Sequence, residues 1–318
     1  MGAAQVTPAR PAWDLRQHDS RQPWPIAPGS VHLVFGSPPY FGADVAITYD
    51  QHDYAPSLTA WAEDLAAVSR QAYQALADGG RLVVNVANSG RKPYHDLAGL
   101  VGVTLGAAGF ETRGHIIWHK GYGVAGTAWG STRMASAPSL RDVHEYLIVG
   151  QKGPGPLAVA GFPRRDDLTG GEFGRLTFSI WEVSVTGREP WQRACKHPAP
   201  YPLELARRLV RLYTAPGMTV LDPWAGAGTS CAAALSQGCH AVGYDLSQPY
   251  LEAARAWCSE VQGKFYRPRP EVMERDAPEL PLLALAGAAG FTAMRPAANG
   301  RQDSEERCKS GLLRPGRD

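Results

Sequence analysis

Four consecutive residues, Ser37-Pro38-Pro39-Tyr40, combine groups able to hold a planar ring that carries an exocyclic amine. Neither proline has an N–H, so the local carbonyls are left as acceptors. Ser37 adds a hydroxyl and Tyr40 a flat ring beside them. Acceptors next to a stacking face suit an amino group; a rigid surface turn is the plainer reading of the same residues. A second stretch lies far downstream, Asp222-Pro223-Trp224-Ala225-Gly226-Ala227-Gly228-Thr229-Ser230. Its glycines allow a ligand to approach the backbone, and the helix start that follows can receive an anionic group. Seventeen residues beyond Gly228, Asp245 closes the next expected strand, where a carboxylate could accept both hydroxyls of a ribose. Cys231 stands where a dinucleotide fingerprint wants its third glycine, which argues against a nicotinamide oxidoreductase.

Each motif needs a strand that ends at its start. Val31 to Phe35 is an apolar, β-branched run suited to a buried strand, and two prolines must stop it. Met218 to Leu221 leads into the glycine motif, and Thr229 to Gln237 reads as the helix after it. Further strands are expected at residues 12–18, 81–87, 115–118, 146–149 and 240–244. Trp61, Leu65, Val68, Ala72 and Leu76 recur at helical spacing, with Ser57 or Thr59 as N-cap and Gly79-Gly80 as stop. Other helices are expected at residues 97–108, 202–213 and 249–261. Strands alternating with such helices predict an α/β fold, a doubly wound, mostly parallel seven-stranded sheet of Rossmann-like type. Residues 41–56 read as a loop over the site, and 121–142 as a Gly/Ser/Ala-rich loop. Residues 151–195 read as irregular, with aromatics interleaved among arginines. The expected division is 1–120, 121–195 and 196–262, with a loosely attached extension over 263–318.

Composition narrows the classes. With 44% hydrophobic and 19% charged residues, the 318-residue chain reads as globular. No apolar run reaches the roughly 18 residues of a membrane span, and the first residues lack a signal-peptide core, so a cytoplasmic protein is expected. Cysteines at 195, 231, 239, 258 and 308 include no Cys-x-x-Cys pair, which argues against a disulfide framework or a cysteine-built zinc site. His115 and His119 alone are too few for a metal centre, and none is expected. The net charge of +2 is uneven: residues 120–215 hold 13 Lys and Arg against 8 Asp and Glu. A basic middle of this kind is the footprint of a polyanionic partner.

In this order the motifs resemble the β-group of amino-directed DNA methyltransferases that use S-adenosylmethionine. That group has a (Ser/Asp)-Pro-Pro-(Tyr/Trp) motif near its N-terminus and an Asp-Pro-Phe-x-Gly-x-Gly-Thr motif near its C-terminus, a circularly permuted arrangement. The segment His197-Pro198-Ala199-Pro200-Tyr201-Pro202 is similar to a further family segment, as are Arg141 to Tyr146 and Trp118-His119-Lys120. The resemblance covers residues 13–262; Trp224 replaces the usual Phe, and Asp245 stands where Glu is commoner.

It implies methyl transfer to an exocyclic amine of a base flipped out of double-stranded DNA. Ser37, Pro38, Pro39 and Tyr40 would form the catalytic turn, with the Ser37 hydroxyl and Pro38 carbonyl gripping the amine and Tyr40 stacking. Asp222, Pro223, Trp224, Gly226, Gly228, Thr229 and Asp245 would bind S-adenosylmethionine. His197 and Pro198 would receive its methionyl end, and Asp19 its adenine amine. Target readout would fall to 121–142 and 151–195, through Arg133, Arg164, Arg165 and Arg175. Arginine suits both guanine edges and phosphates. Trp129 would either stack near the flipped base or fill core. Serine rather than aspartate at position 37 points to cytosine N4, with adenine N6 as the alternative. An inactive cofactor-sensing DNA-binding protein is the reading from another class, and intact motifs at both sites argue against it. A cognate restriction endonuclease is a candidate partner; monomer or homodimer stays open.

Overall fold

The computed structural model describes residues 10–41, 55–89, 93–124, 130–165, 167–185, 189–195 and 199–264. Along the chain these form β1 (Trp13–Gln17), β2 (Val31–Gly36), α1 (Leu58–Ala75), β3 (Leu76–Val86), α2 (Leu97–Ala107), β4 (Phe110–His119) and β5 (His144–Lys152). There follow α3 (Gly170–Leu176), β6 (Ile180–Glu182), α4 (Pro190–Ala194), α5 (Leu203–Tyr213), β7 (Thr219–Asp222), α6 (Thr229–Ser236), β8 (His240–Asp245) and α7 (Gln248–Gly263). All of them belong to one compact unit, Met1–Glu271.

The strands make one sheet in the order β1-β8-β7-β2-β3-β5-β4-β6. The first five are mutually parallel, β5 runs antiparallel to both β3 and β4, and β6 is parallel to β4. Both faces are covered, and the period-2 alternation of the strands divides their side chains between them. Leu33 and Phe35 of β2, Val83 of β3, and Leu147 and Val149 of β5 pack toward α5, α6 and α7. Val34 of β2, Leu82 and Val84 of β3, and Ile148 of β5 turn the other way, toward α1 and α2.

Three expectations are corrected. Among the described residues the sheet has eight strands rather than seven, and residues 151–195 are not irregular throughout: they contain α3, β6 and α4. A three-residue strand and helices of five and seven residues are too short to show a periodicity. Ser57 is the N-cap of α1, its Oγ accepting from the Ala60 amide at 3.1 Å. Gly79-Gly80 does not end that helix. The chain has already entered β3 at Leu76, and the ladder with β2 jumps from Val31↔Leu76 to Leu33↔Arg81. Gly79, at φ 78°, lies in the irregularity so created.

One feature of the topology makes a crevice. Neighbouring strands β2 and β7 both end at the same edge of the sheet, yet the chain leaves β2 for α1 on one face and β7 for α6 on the other. Diverging connections open a cleft at the carboxyl ends of the two strands, the usual ligand position in a doubly wound sheet.

Candidate active site

Both sequence motifs sit at that cleft. Gly36 ends β2 so close to the second motif that a Cβ on it would lie 2.4 Å from Asp222 Oδ1 and 3.0 Å from Trp224 Cε3. Ser37 to Tyr40 then turn away from the sheet. The Pro39 carbonyl accepts from the Trp61 indole N–H at 2.6 Å, so α1 holds the turn from one side. On the other side the Ser37 hydroxyl lies 2.9 Å from the Tyr40 hydroxyl and 3.0 Å from the Asn85 carbonyl. Tyr40 Oη donates to Glu145 Oε2 at 2.9 Å, and Asn85 Nδ2 donates to the same oxygen at 2.6 Å. Lys120 Nζ closes the chain on Glu145 Oε1. Asn85 is 1% exposed and Glu145 7%, so this is a buried polar network.

The glycine motif is held as firmly. Asp222 is fully buried; its Oδ1 accepts from the Trp224 amide at 2.9 Å, and its Oδ2 from the Tyr201 hydroxyl at 3.0 Å and from Ser230. Burial pushes its carboxyl up to about 6, with the donated hydrogen bonds holding it from rising further. Gly226 at φ 48° and Gly228 at φ 82° adopt left-handed conformations that disfavour side chains. A Cβ on Gly228 would also press on Ala254 of α7 at 2.7 Å. The Asp245 carboxylate accepts from the Gly226 amide at 2.7 Å and the Ser247 amide at 2.8 Å, tying the loop to the end of β8. Gln192 of α4, itself buried, donates to the Tyr201 carbonyl and to Thr229 Oγ1, both at 2.9 Å. Ser20 donates to the Pro223 carbonyl.

A cavity of about 180 Å³ joins the two motifs, with Ser37, Pro38 and Pro39 on one wall and Pro223, Trp224, Gly226, Thr229 and Asp245 on another. Asp19 and Arg21 line it as well; the Arg21 guanidinium bonds both Asp19 oxygens at 2.9 Å and holds that carboxyl below its usual range. Ala199, Pro200 and Tyr201 line it too, whereas His197 and Pro198 lie outside the described residues. Tyr40 is half-buried beside Ser37, with its hydroxyl in the Glu145 network. The glycine loop and Asp245 offer a nucleoside cofactor a close backbone and a carboxylate, so these residues fit such a group.

The arginines expected to read DNA divide. Arg133 and Arg175 are exposed, and Trp129 lies outside the described residues. Arg165 corrects the expectation: its side chain is 7% exposed and bonds the Thr214 carbonyl at 2.8 Å and Thr214 Oγ1 at 3.2 Å. Thr214 precedes β7, so Arg165 braces the opposite end of the sheet from the cleft. Arg164 is exposed and lines a pocket at that same end with Gly79, Arg81, Tyr213 and Met218. Asn85, Gln192 and Trp61 were missed as site residues. Asn85 had a legible signal, as an amide inside the apolar run of β3. Gln192 and Trp61 had none, because their contacts are tertiary. Among the described residues no group of three or more His, Cys, Asp or Glu could hold a metal ion, and no helix is long and apolar enough to cross a membrane.

Residues 31–256 match the family model for DNA methylases of the N6 and N4 type. The chain is 26% identical over 256 residues to the type II methyltransferase M.MthZI of Methanothermobacter thermautotrophicus, spanning 73% of this chain and 72% of that one. TTHA0409 of Thermus thermophilus, described as a DNA modification methylase and solved with S-adenosyl-L-methionine, is 28% identical. It superposes with a TM-score of 0.62 over 80% of this chain and 96% of its own. The PvuII DNA methyltransferase (cytosine-N4-specific) superposes at 0.58 over 80% of this chain and 94% of its own; at 15% identity that likeness is one of fold.

Proposed function

The chain belongs to the DNA methylase family, and we propose that it methylates the N4 amine of a cytosine flipped out of duplex DNA. S-adenosylmethionine is the methyl donor. When bound, it supplies an electrophilic methyl group on a sulfonium. The observation that carries the reading is the contact of Gly36 with Asp222 and Trp224, which brings an amine-gripping turn and a nucleoside-binding loop to one cavity.

The residues of the chain do the rest by position and electrostatics. The Ser37 hydroxyl and the Pro38 carbonyl accept the two N–H groups of the amine, while the Pro39 carbonyl is engaged by the Trp61 indole N–H. An amine held through both hydrogens turns its lone pair away from the ring system and toward the incoming methyl. The Tyr40 ring stacks on the base, worth about 1–3 kcal/mol for a base on an aromatic side chain. Gly226 and Gly228 let the cofactor approach the backbone, and the Asp245 carboxylate, tied to the loop through the Gly226 amide, takes the ribose hydroxyls. His197 and Pro198 would take the methionyl end, and Asp19 the adenine amine beside Arg21. Arg133 and Arg175 would contact phosphates or guanine edges. Transfer leaves the nitrogen cationic, so its proton departs without a strong base. An uncharged serine in place of a carboxylate at position 37 favours cytosine N4; adenine N6 is the alternative. The order of motifs, amine-gripping turn first, is that of a permuted enzyme.

The test is transfer of labelled methyl from S-adenosylmethionine to duplex DNA. Label should enter DNA with the native chain and fall sharply with Ser37→Ala. A native protein that binds the cofactor and leaves DNA unlabelled would overturn the proposal.

A further inference from the structure

We propose that Glu145, anchored by Lys120, is a positioning residue that sets the hydrogen-bond polarity of Ser37 through the Tyr40 hydroxyl. The inference rests on the amine-methylation reading and adds to it what makes Ser37 an acceptor. It also supplies a reason for the site to prefer an amino edge over a carbonyl edge.

The strands bring the groups together. In the β3–β5 and β4–β5 ladders Asn85 pairs with Leu147 and Trp118 with Glu145, so Asn85, Glu145 and Lys120 gather at one end of three neighbouring strands. A carboxylate as buried as Glu145 is costly unless every lone pair has a use. Here Lys120 occupies Oε1, and Tyr40 and Asn85 donate to Oε2. Lys120 is fixed in turn, its amide donating to the Val143 carbonyl at 2.8 Å and its ammonium lying 4.9 Å from the Trp118 ring centre.

Counting protons then assigns direction. A carboxylate only accepts, so the single Tyr40 hydroxyl proton points at Glu145. Asn85 Nδ2 gives one proton to Glu145 and its other to the Tyr40 oxygen at 3.0 Å. The single Ser37 proton has two inward acceptors, the Tyr40 oxygen at 2.9 Å and the Asn85 carbonyl at 3.0 Å. With that proton spent inward, Ser37 turns lone pairs to the cavity. A hydroxyl free to rotate would serve an N–H or a C=O alike. One locked as an acceptor, beside the Pro38 carbonyl, accepts an amine and repels a ring carbonyl. Asn85 Oδ1, buried and without a hydrogen-bond partner among the described residues, fits this orientation: flipping the amide would set that oxygen against the Glu145 carboxylate.

The test is a double-mutant cycle on the full chain with Glu145→Gln and Tyr40→Phe, read as the single-turnover rate of methyl transfer and as cofactor affinity. Tyr40→Phe keeps the stacking ring and deletes one oxygen, so it carries little risk to folding. Each variant should slow transfer by tenfold or more while the Kd for S-adenosylmethionine stays within twofold. The double variant should be no slower than the worse single one, because both act through the same hydroxyl. Multiplying losses would overturn the proposal, as would a native rate in Tyr40→Phe. If Glu145→Gln fails to fold, Tyr40→Phe decides alone. A native protein that moves no methyl group to DNA would instead overturn the reaction on which the inference rests.

Discussion

Replacing Gly36 by alanine perturbs the point where the two motifs meet. The new Cβ would lie 2.4 Å from Asp222 Oδ1, 3.3 Å from Asp222 Cγ and 3.0 Å from Trp224 Cε3. Relief requires one side to move. Asp222 is a poor candidate, because the Trp224 amide, Tyr201 and Ser230 all donate to it in a buried setting. Overpacking of this kind costs about 1–3 kcal/mol. In a domain of this size each kcal/mol lowers Tm by about 2–4 °C. The expected result for Gly36→Ala is therefore a loss of several degrees, together with weaker cofactor binding, since displacement of Trp224 moves the loop that lines the cavity. Differential scanning calorimetry and a cofactor titration read both. Gly102→Ala is the control: nothing lies within 4 Å of its added Cβ, and in α2 the change should leave stability level or slightly raised. If Gly36→Ala melted and bound cofactor like the native chain, the contact between the motifs would be refuted.

Four further outcomes are expected. Asp245→Ala should weaken S-adenosylmethionine by roughly 10- to 100-fold in a calorimetric titration, from bonds to a charged group worth about 1.5–3 kcal/mol; an unchanged Kd would remove Asp245 from the cofactor site. The folded carboxyl of Asp222 is raised from 3.8 to about 6, so its protonated form favours the fold: that stability is fully present below about pH 3.8 and lost as pH rises through about 6. Relative to Asp222→Asn, the native chain should thus lose on the order of 3 kcal/mol between those limits, measured by denaturant unfolding across pH; parallel pH profiles would contradict it. Arg165→Ala should cost about 1–3 kcal/mol of stability, through the orphaned Thr214 carbonyl, without altering the salt dependence of DNA binding. Arg133→Ala and Arg175→Ala should each lower that salt slope by about 1 and leave Tm unchanged.

Much of the architecture was legible because it rests on local signals. Double-sided burial gave β2, β3 and β5 their near-continuous apolar runs, and Pro38 and Pro39 fixed where β2 must stop. The glycine motif announced itself through residues that only a left-handed backbone requires, Gly226 and Gly228. What stayed hidden depends on contacts between distant segments. Arg164 and Arg165 looked like a DNA-facing pair among aromatics, but a charge in sequence does not say which end of the sheet it reaches; Arg165 bonds residues 45 to 74 positions away. Glu145 and Lys120 were recognisable as parts of familiar segments, yet their task lies 105 residues from Tyr40 and could be seen only in the folded chain.

The measurement that tests the account most directly is mass spectrometry of nucleosides from DNA treated with the protein and S-adenosylmethionine. N4-methylcytosine, formed by the native chain and lost in Ser37→Ala, is the predicted product. N6-methyladenine in its place would contradict the assignment of the target base, and an unmodified digest would contradict the reaction itself.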